Sequence, residues 1–135
     1  MKWNGSGVSR VKLNVPGAHN IQNALAAITI ALELEIDNDI IVRGLALYNG
    51  VRRRFQIVES FDNGTLIIDD YAHHPSEVKA TLNSAKSGWN KRIISIFQPH
   101  LYSRTRDFYQ DFATAFMLAD IAVFTEIFPA REEAI

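Results

Sequence analysis

The sequence has no cysteine among its 135 residues, which excludes a disulfide-stabilised scaffold and any metal site built from thiolates. It also has no excess of positive charge, because 14 basic side chains stand against 15 acidic ones and the net charge is −1. Proteins that bind nucleic acid by neutralising phosphates carry a clear basic excess, so the sequence argues against that class. The lack of cysteine fits a reducing compartment such as the cytoplasm.

Long hydrophobic runs are missing as well. The longest, residues 25–34, is interrupted by Thr29 and Glu33 and is too short to span a bilayer. The first ten residues lack the apolar core of a signal peptide. We therefore expect a cytoplasmic protein without a membrane partner. Residues 1–7 contain Gly and Ser in the manner of a linker and are left out of the fold prediction.

The first part of the chain has helical periodicity. Residues 20–35 predict an amphipathic helix with an apolar stripe of Ile21, Leu25, Ile28 and Leu32. The acidic and amide residues at 37–39 turn the chain and can cap a second helix over about 39–48. Asn49-Gly50 is typical of a helix end.

The second part alternates strands and helices. The turn sequence Asp62-Asn63-Gly64 predicts a hairpin between strands at 55–61 and 65–70. Two further strands, at 92–97 and 121–125, are apolar enough to be buried on both faces. The intervening helices are predicted at 75–87, beginning at Pro75, and at 103–119, capped by Ser103.

The buried stripes of these two helices can be listed: Val78, Leu82 and Ala85 for the first, and Phe108, Phe112, Ala115, Phe116 and Ala119 for the second. From residue 64 the order of strand, helix, strand, helix, strand predicts an α/β fold in which three parallel strands share one sheet. Ligands of such sheets bind at the carboxyl ends of the strands. The loops there, at 70–75, 98–103 and 126–133, are rich in His, Arg, Asp and Glu, which indicates a functional site.

Two polar clusters precede the predicted sheet. Asn20 and Asn23 lie three residues apart on one helix face, where two amides can recognise a purine edge. The alternative is that Asn20 only caps the helix. Residues 52–54 are three arginines, whose guanidinium groups suit phosphate oxygens, although a solvated basic turn is also consistent with the composition.

Two further clusters follow strand ends. In the loop at 70–75, a carboxylate such as Asp70 can hold a ribose hydroxyl or a metal-bound water, and the histidines precede a helix start, where anions bind. A metal site competes, but adjacent residues such as His73 and His74 rarely converge on one ion. In the next loop, Arg104 either meets a bound anion or pairs with Asp107.

Taken together, these segments resemble the Mur ligases. The matching segments are VPGAHNIQNALAAI, GVRRRFQ, IIDDYAHHPSEV, FQPHLYSRTRDFY and EIFPAREEAI, and they cover about residues 11–135. The resemblance is strongest to the branch that joins L-alanine to UDP-N-acetylmuramate. It implies that residues 1–50 end a central ATPase domain and that residues 51–135 form most, but not all, of a Rossmann-like C-terminal domain.

The resemblance also implies a chemistry, in which ATP and Mg²⁺ convert a carboxylate to an acyl phosphate that the amine of alanine attacks. It assigns Asn20 and Asn23 to adenine, Arg54 to the ATP phosphates and Asp70 to the ribose. It assigns catalytic roles to His73 and Arg104, and it assigns substrate binding to the same two residues together with His100 and Tyr71. Leu101 departs from the family, because some relatives carry a basic residue there.

No GxxxxGK[ST] phosphate loop occurs in the sequence. We therefore expect an inactive piece of a ligase, whose partners are the remaining domains of the same enzyme and whose metal ligands lie outside this chain. Two alternatives are a piece of the tripeptide-recycling Mur ligase and a non-catalytic nucleotide-binding or interaction domain.

Overall fold

The computed structural model describes residues 2–3, 6–7 and 10–133, which divide into two compact units, Met1–Ile68 and Asp69–Ile135. The first unit contains β1 (Lys2–Trp3), β2 (Ser6–Gly7), α1 (Ala18–Glu33), α2 (Asn38–Leu47), β3 (Gln56–Ser60) and most of β4 (Leu66–Asp69). The second contains α3 (Pro75–Gly88), β5 (Ile94–Phe97), α4 (Tyr102–Asp107), α5 (Tyr109–Ala115) and β6 (Ile121–Phe124). No helix among these residues is long and apolar enough to span a membrane.

In the first unit, α1 packs against α2, and both helices lie within about two residues of their predicted bounds. The predicted stripe of α1 is only partly correct. Ile28 is buried, but Ala24 rather than Leu25 lies beside it, and Ile21 is 57% exposed. Periodicity predicts which face of a helix is apolar. Which part of that face is buried depends on the elements that pack against the helix. The terminal strands β1 and β2 form a short antiparallel pair.

The predicted hairpin is confirmed, since β3 and β4 are hydrogen-bonded neighbours. Its turn is closed by bonds from Gly64 N to Phe61 O (2.8 Å) and from Phe61 N to Thr65 O (2.9 Å). Asn63 Oδ1 accepts from Thr65 N at 2.9 Å, and Gly64 adopts a φ of 81°. This left-handed conformation is disfavoured for residues with a Cβ, which explains the glycine.

The core of the second unit lies between the β5–β6 pair and helices α3 and α5. Its buried members are Val78, Leu82, Phe97, Phe112, Ala115 and Phe116. The Phe97 ring lies 5.4 Å from that of Phe112 and 5.1 Å from that of Phe116, measured between centroids. Strands β5 and β6 are parallel and in register from Ile94↔Ile121 to Phe97↔Phe124. The α/β class and the parallel crossover through α4 and α5 are therefore confirmed.

The prediction that three parallel strands share one sheet was wrong for the described residues. Strand β4 pairs with β3, whereas β5 pairs with β6, so the strands belong to separate two-stranded sheets. The order of elements does not specify lateral neighbours.

Burial of β5 and β6 on both faces was also wrong. Ile94 is 57% exposed and Ile96 is 74% exposed, on the face opposite the buried Phe97. Every residue of β6 is exposed. Within the described part of the chain, helices cover one side of this sheet, and an apolar sequence cannot reveal whether a second layer is present.

The helix predicted at 103–119 is two helices, α4 and α5, that meet at Phe108 and end at Ala115. Phe108 has φ −116° and ψ 20°, and its ring packs edge-on against His74 at 4.8 Å. Ser103 is not the N-cap. That position belongs to Leu101, which has no side-chain cap bond, while Ser103 contacts a different loop.

Candidate functional site

The three predicted loops of the second unit lie together at the carboxyl ends of β5 and β6. Beyond the strands, Leu101 N donates to Phe128 O at 2.9 Å and Phe128 N donates to Pro99 O at 2.8 Å. The His100 ring lies 5.6 Å from the Phe128 ring and 6.1 Å from the His73 ring. We call His73, His100, Arg104 and Tyr71 the strand-end cluster.

Asp70 fixes the first of these loops. Its Oδ1 accepts from Ala72 N at 2.8 Å and its Oδ2 accepts from Thr81 Oγ1 at 3.0 Å. An Asp that bonds the backbone two residues ahead creates a local turn. The side chain therefore joins the end of β4 to α3, in addition to any contact with a ligand.

The two adjacent histidines differ in what their rings do. His74 is the N-cap of α3, and its Nδ1 accepts from Ser76 N at 3.4 Å. Glu77 completes a capping box, because its Oε2 accepts from His74 N at 3.1 Å and also from His73 N at 3.0 Å. His74 therefore has a structural role as the cap of α3.

The His73 ring belongs to the strand-end cluster. Its Nδ1 lies 2.9 Å from Tyr71 O and 3.5 Å from Glu77 Oε2. Both neighbours are acceptors, so Nδ1 must carry the proton. In the neutral ring, Nε2 then has a free lone pair. The Tyr71 ring packs edge-on against His73 at 5.1 Å.

His100 and Arg104 form the other half of the cluster. Arg104 Nη1 donates to His100 Nδ1 at 3.4 Å and to His100 O at 3.5 Å, both long bonds. Since Nδ1 accepts, a neutral His100 carries its proton on Nε2. The two rings therefore differ, with an acceptor nitrogen on His73 and a donor nitrogen on His100.

Arg104 does not pair with Asp107 as one alternative suggested. Asp107 Oδ1 accepts instead from Arg106 Nε at 2.8 Å, which raises the pKa of Arg106. Among the described residues no carboxylate lies within ion-pair distance of Arg104, although its side chain is half-buried. A partly desolvated guanidinium without a counter-charge favours binding of an anion.

Glu132 is a residue that the sequence reasoning did not single out. Its Oε2 accepts from Ser103 N at 2.9 Å, and its Oε1 accepts from Ser103 Oγ. These bonds from Ser103 lower the pKa of the Glu132 carboxyl. The sequence did contain a signal for Glu132. It is an acidic residue in a strand-end loop, and such side chains bind the free N–H groups at the start of a helix.

The remaining candidates lie in the first unit. Asn20 does not cap α1, because the N-cap is Gly17 and the Asn20 amide donates to Pro16 O at 2.6 Å. Asn23 is exposed on the same helix. Arg54 is exposed in a turn in which its backbone N donates to Val51 O at 3.1 Å.

Two other kinds of site were considered for the described residues, a metal centre and a cavity in the second unit. Among the described residues, no group of three or more His, Asp or Glu side chains is arranged to hold a metal ion. A cavity of about 470 Å³ in the second unit is lined mainly by apolar side chains, including Phe97, Phe112 and Met117, and does not suit an anionic substrate.

Comparison with known proteins places these features in a family context. Residues 53–135 match the family described as Mur ligase, glutamate ligase domain. The chain is 51% identical over 125 residues to a UDP-N-acetylmuramate–L-alanine ligase of Chlorobium chlorochromatii, covering 92% of this chain and 27% of that protein. The chain thus spans about a quarter of the length of such relatives.

Two solved structures are also similar. The UDP-N-acetylmuramate–alanine ligase MurC of Thermotoga maritima matches with a TM-score of 0.80 and 38% identity, over 93% of this chain and 28% of that one. A murein peptide ligase of Psychrobacter arcticus matches with a TM-score of 0.58 and 29% identity, over 84% of this chain and 24% of that one.

Proposed function

This chain belongs to the Mur ligase family, and from that premise we propose that the protein containing it joins L-alanine to UDP-N-acetylmuramate in an ATP-dependent step of peptidoglycan synthesis. The observation that carries this proposal is the strand-end cluster. It presents the half-buried guanidinium of Arg104, which is paired with no carboxylate of the described residues, beside two imidazoles whose Nδ1 atoms have opposite hydrogen-bonding roles. Relatives about 50% identical to the chain have this activity in their names.

The reaction requires activation of a carboxylate and then attack by an amine. The γ-phosphoryl group of ATP passes to a carboxylate oxygen of UDP-N-acetylmuramate, which gives an acyl phosphate and ADP. The alanine amine attacks the carbonyl carbon, loses a proton, and phosphate leaves. These nucleotide substrates are cytoplasmic, so we place the reaction in the cytoplasm.

Within this scheme Arg104 binds an anionic group of UDP-N-acetylmuramate, and the lone pair on His73 Nε2 accepts a hydrogen bond or a proton from the alanine amine. The Nε2–H of His100 donates to an adjacent oxygen, and Tyr71 borders the same cleft. Mg²⁺ would balance phosphate charge when bound. The described residues do not form a site that fits it, so we assign no step of this chain to the metal.

We further propose ATP contacts for four residues, as the family resemblance implies. Asn20 and Asn23 face adenine, Arg54 faces the phosphates and Asp70 faces the ribose. The bonds that the Asp70 oxygens accept from Ala72 and Thr81 hold the carboxylate in place at the end of β4, where we place the ribose. The start of the family match at residue 53 supports a domain boundary near residues 51–53.

A murein peptide ligase is the second candidate, because a structure with that name also matches this chain. Its similarity is lower in both identity and TM-score than that of the alanine ligase structure. The AHHP segment alone does not separate the two activities. A non-catalytic binding domain is a third candidate, and the concentration of polar groups at strand ends favours an enzyme over it.

The two histidines provide the test. In the full-length protein we expect ATP-dependent incorporation of L-alanine into UDP-N-acetylmuramate, and little reaction when a stem tripeptide replaces alanine. His73→Ala should raise the KM for alanine roughly tenfold, the effect of one lost charge-assisted hydrogen bond. It should leave the KM for ATP near its original value.

His74→Ala is the matched control. It should lower the unfolding free energy by about 1 kcal/mol through loss of the cap, with little change in either KM. Preferred use of the tripeptide would favour the second candidate. Identical kinetic effects of the two substitutions would contradict the role given to His73.

A further inference from the structure

The contact between the loop after β6 and the start of α4 has a consequence for substrate binding. We propose that Glu132 is a positioning residue, which holds Ser103 and thereby fixes Arg104 and His100 in the strand-end cluster. This inference rests on the proposed function, since it assigns to Glu132 an effect on the substrate that Arg104 contacts.

The contact is a two-point attachment. Both carboxylate oxygens of Glu132 accept from Ser103, one from the backbone N–H at 2.9 Å and the other from the hydroxyl. Ser103 is the second residue of α4, where N–H groups have no partner within the helix. Arg104 is the next residue, so the direction of its side chain depends on how this first turn is held.

The backbone before Ser103 needs such an attachment. Leu101 has φ 73° and ψ 133°, a conformation that residues with a Cβ rarely adopt. Its N–H donates to Phe128 O at 2.9 Å, and its carbonyl accepts from Thr105 N at 3.1 Å and Thr105 Oγ1 at 2.8 Å. His100 and Arg104 flank this strained residue, so their relative orientation depends on its conformation.

Glu132 is itself held in place for this contact. Its N–H donates to Pro129 O at 3.0 Å in a turn in which Ala130 has φ 56°. Phe128, on the same loop, bonds both Pro99 and Leu101. The loop after β6 therefore bonds residues 99–103 at two positions, through Phe128 and through Glu132. The Glu132 contact is at Ser103, the residue before Arg104.

A purely structural role and a positioning role predict different kinetics. Loss of stability alone reduces the amount of active enzyme, which lowers the maximal rate and leaves every KM unchanged. Misplacement of Arg104 weakens one substrate specifically, so it raises the KM for UDP-N-acetylmuramate and not that for ATP.

The experiment uses the full-length protein with each substrate varied in turn. Glu132→Ala should raise the KM for UDP-N-acetylmuramate roughly tenfold, the effect expected if Arg104 loses one charged hydrogen bond to that substrate. Glu132→Gln should restore most of the affinity, because its amide can accept from the Ser103 N–H and donate to the hydroxyl. The exposed neighbour Glu133 provides the control, and Glu133→Ala should match wild type.

Two further variants complete the design. Ser103→Ala removes only the hydroxyl bond and should raise the same KM by a smaller factor. In a double variant with Glu132→Ala its effect should not add, since the two residues act as one contact. If Glu132→Ala does not fold, Ser103→Ala provides the test. An unchanged KM for UDP-N-acetylmuramate in that variant overturns the inference.

Arg104→Ala separates this inference from the proposed function. If it raises the KM for UDP-N-acetylmuramate while Glu132→Ala lowers only thermal stability and maximal rate, the inference is overturned and the proposed function stands. If Arg104→Ala leaves that KM unchanged, the assignment of Arg104 fails and the role of Glu132 fails with it.

Discussion

At the scale of single residues, two adjacent side chains of the same type have different contacts. His73 and His74 are adjacent, but the backbone at the start of α3 turns the second ring onto Ser76 and leaves the first against Tyr71 and His100. The cause is the capping geometry, which fixes one imidazole as an acceptor for the helix N-terminus. The residue types alone predicted a functional loop. The hydrogen bonds in the structure distinguish the role of His73 from that of His74.

Asp70 offers a test of whether one carboxylate serves both the fold and a ligand. Asp70→Ala removes the bonds from Ala72 and Thr81 together with the proposed ribose contact, whereas Thr81→Val removes only one of the protein bonds. Each lost bond should cost about 1 kcal/mol of unfolding free energy. Only Asp70→Ala should also raise the KM for ATP, measured by steady-state kinetics of the full-length protein. An equal rise with Thr81→Val would reduce Asp70 to a structural role.

Asp120 predicts a pH dependence of stability. Its Oδ2 accepts from Ile93 N at 2.7 Å, and this bond lowers the pKa of the carboxyl. A carboxyl with a lowered pKa in the folded state stabilises the protein above its unfolded pKa. That stabilisation is lost as the pH falls through the folded pKa.

The unfolding temperature of the full-length protein should therefore decrease below the ordinary carboxyl range, and less steeply in Asp120→Asn. The amide of that variant keeps an acceptor for Ile93 but does not titrate. Asp111→Asn, at an exposed position, is the control and should retain the wild-type slope. Equal slopes in all three proteins would contradict the prediction.

At the scale of elements, α5 stabilises the second unit through one aromatic face. Phe112 is 8% exposed and packs on Phe97, whereas Tyr109, one turn earlier, is 64% exposed. Phe112→Ala should lower the unfolding free energy by about 3–5 kcal/mol, the usual range for truncating a buried phenylalanine. Tyr109→Ala should change it by less than about 0.5 kcal/mol. Chemical denaturation of both variants checks this, and similar losses would mean that the α5 face is assigned wrongly.

At the scale of the whole molecule, the chain holds one group of site residues in each of its two units and no phosphate-loop motif in its 135 residues. We predict that the isolated chain hydrolyses no ATP, because phosphoryl transfer depends on a phosphate cradle and its lysine. Phosphate release from ATP in the presence of UDP-N-acetylmuramate measures this. Turnover that persists through purification and is abolished by Arg54→Ala would contradict it.

The sequence by itself determined the order of helices and strands after residue 17, except for the division of the helix at 103–119. It also determined the hairpin at residues 61–65, the parallel β5–β6 crossover and the family. These depend on local signals, such as Gly64 in the turn and Pro75 at a helix start, or on side-chain periodicity. It also located the polar loops at strand ends, since chain order fixes which loop follows which strand.

Tertiary structure alone decided three other matters. It kept β4 out of the sheet formed by β5 and β6, left Ile94 and Ile96 exposed, and joined Glu132 to Ser103 across 29 positions of sequence. Each of these depends on contacts between distant segments, whose energies are small individually and depend on which surfaces are present to be covered. A local pattern specifies what a segment can form, and the packing of the remainder determines the partner that it meets.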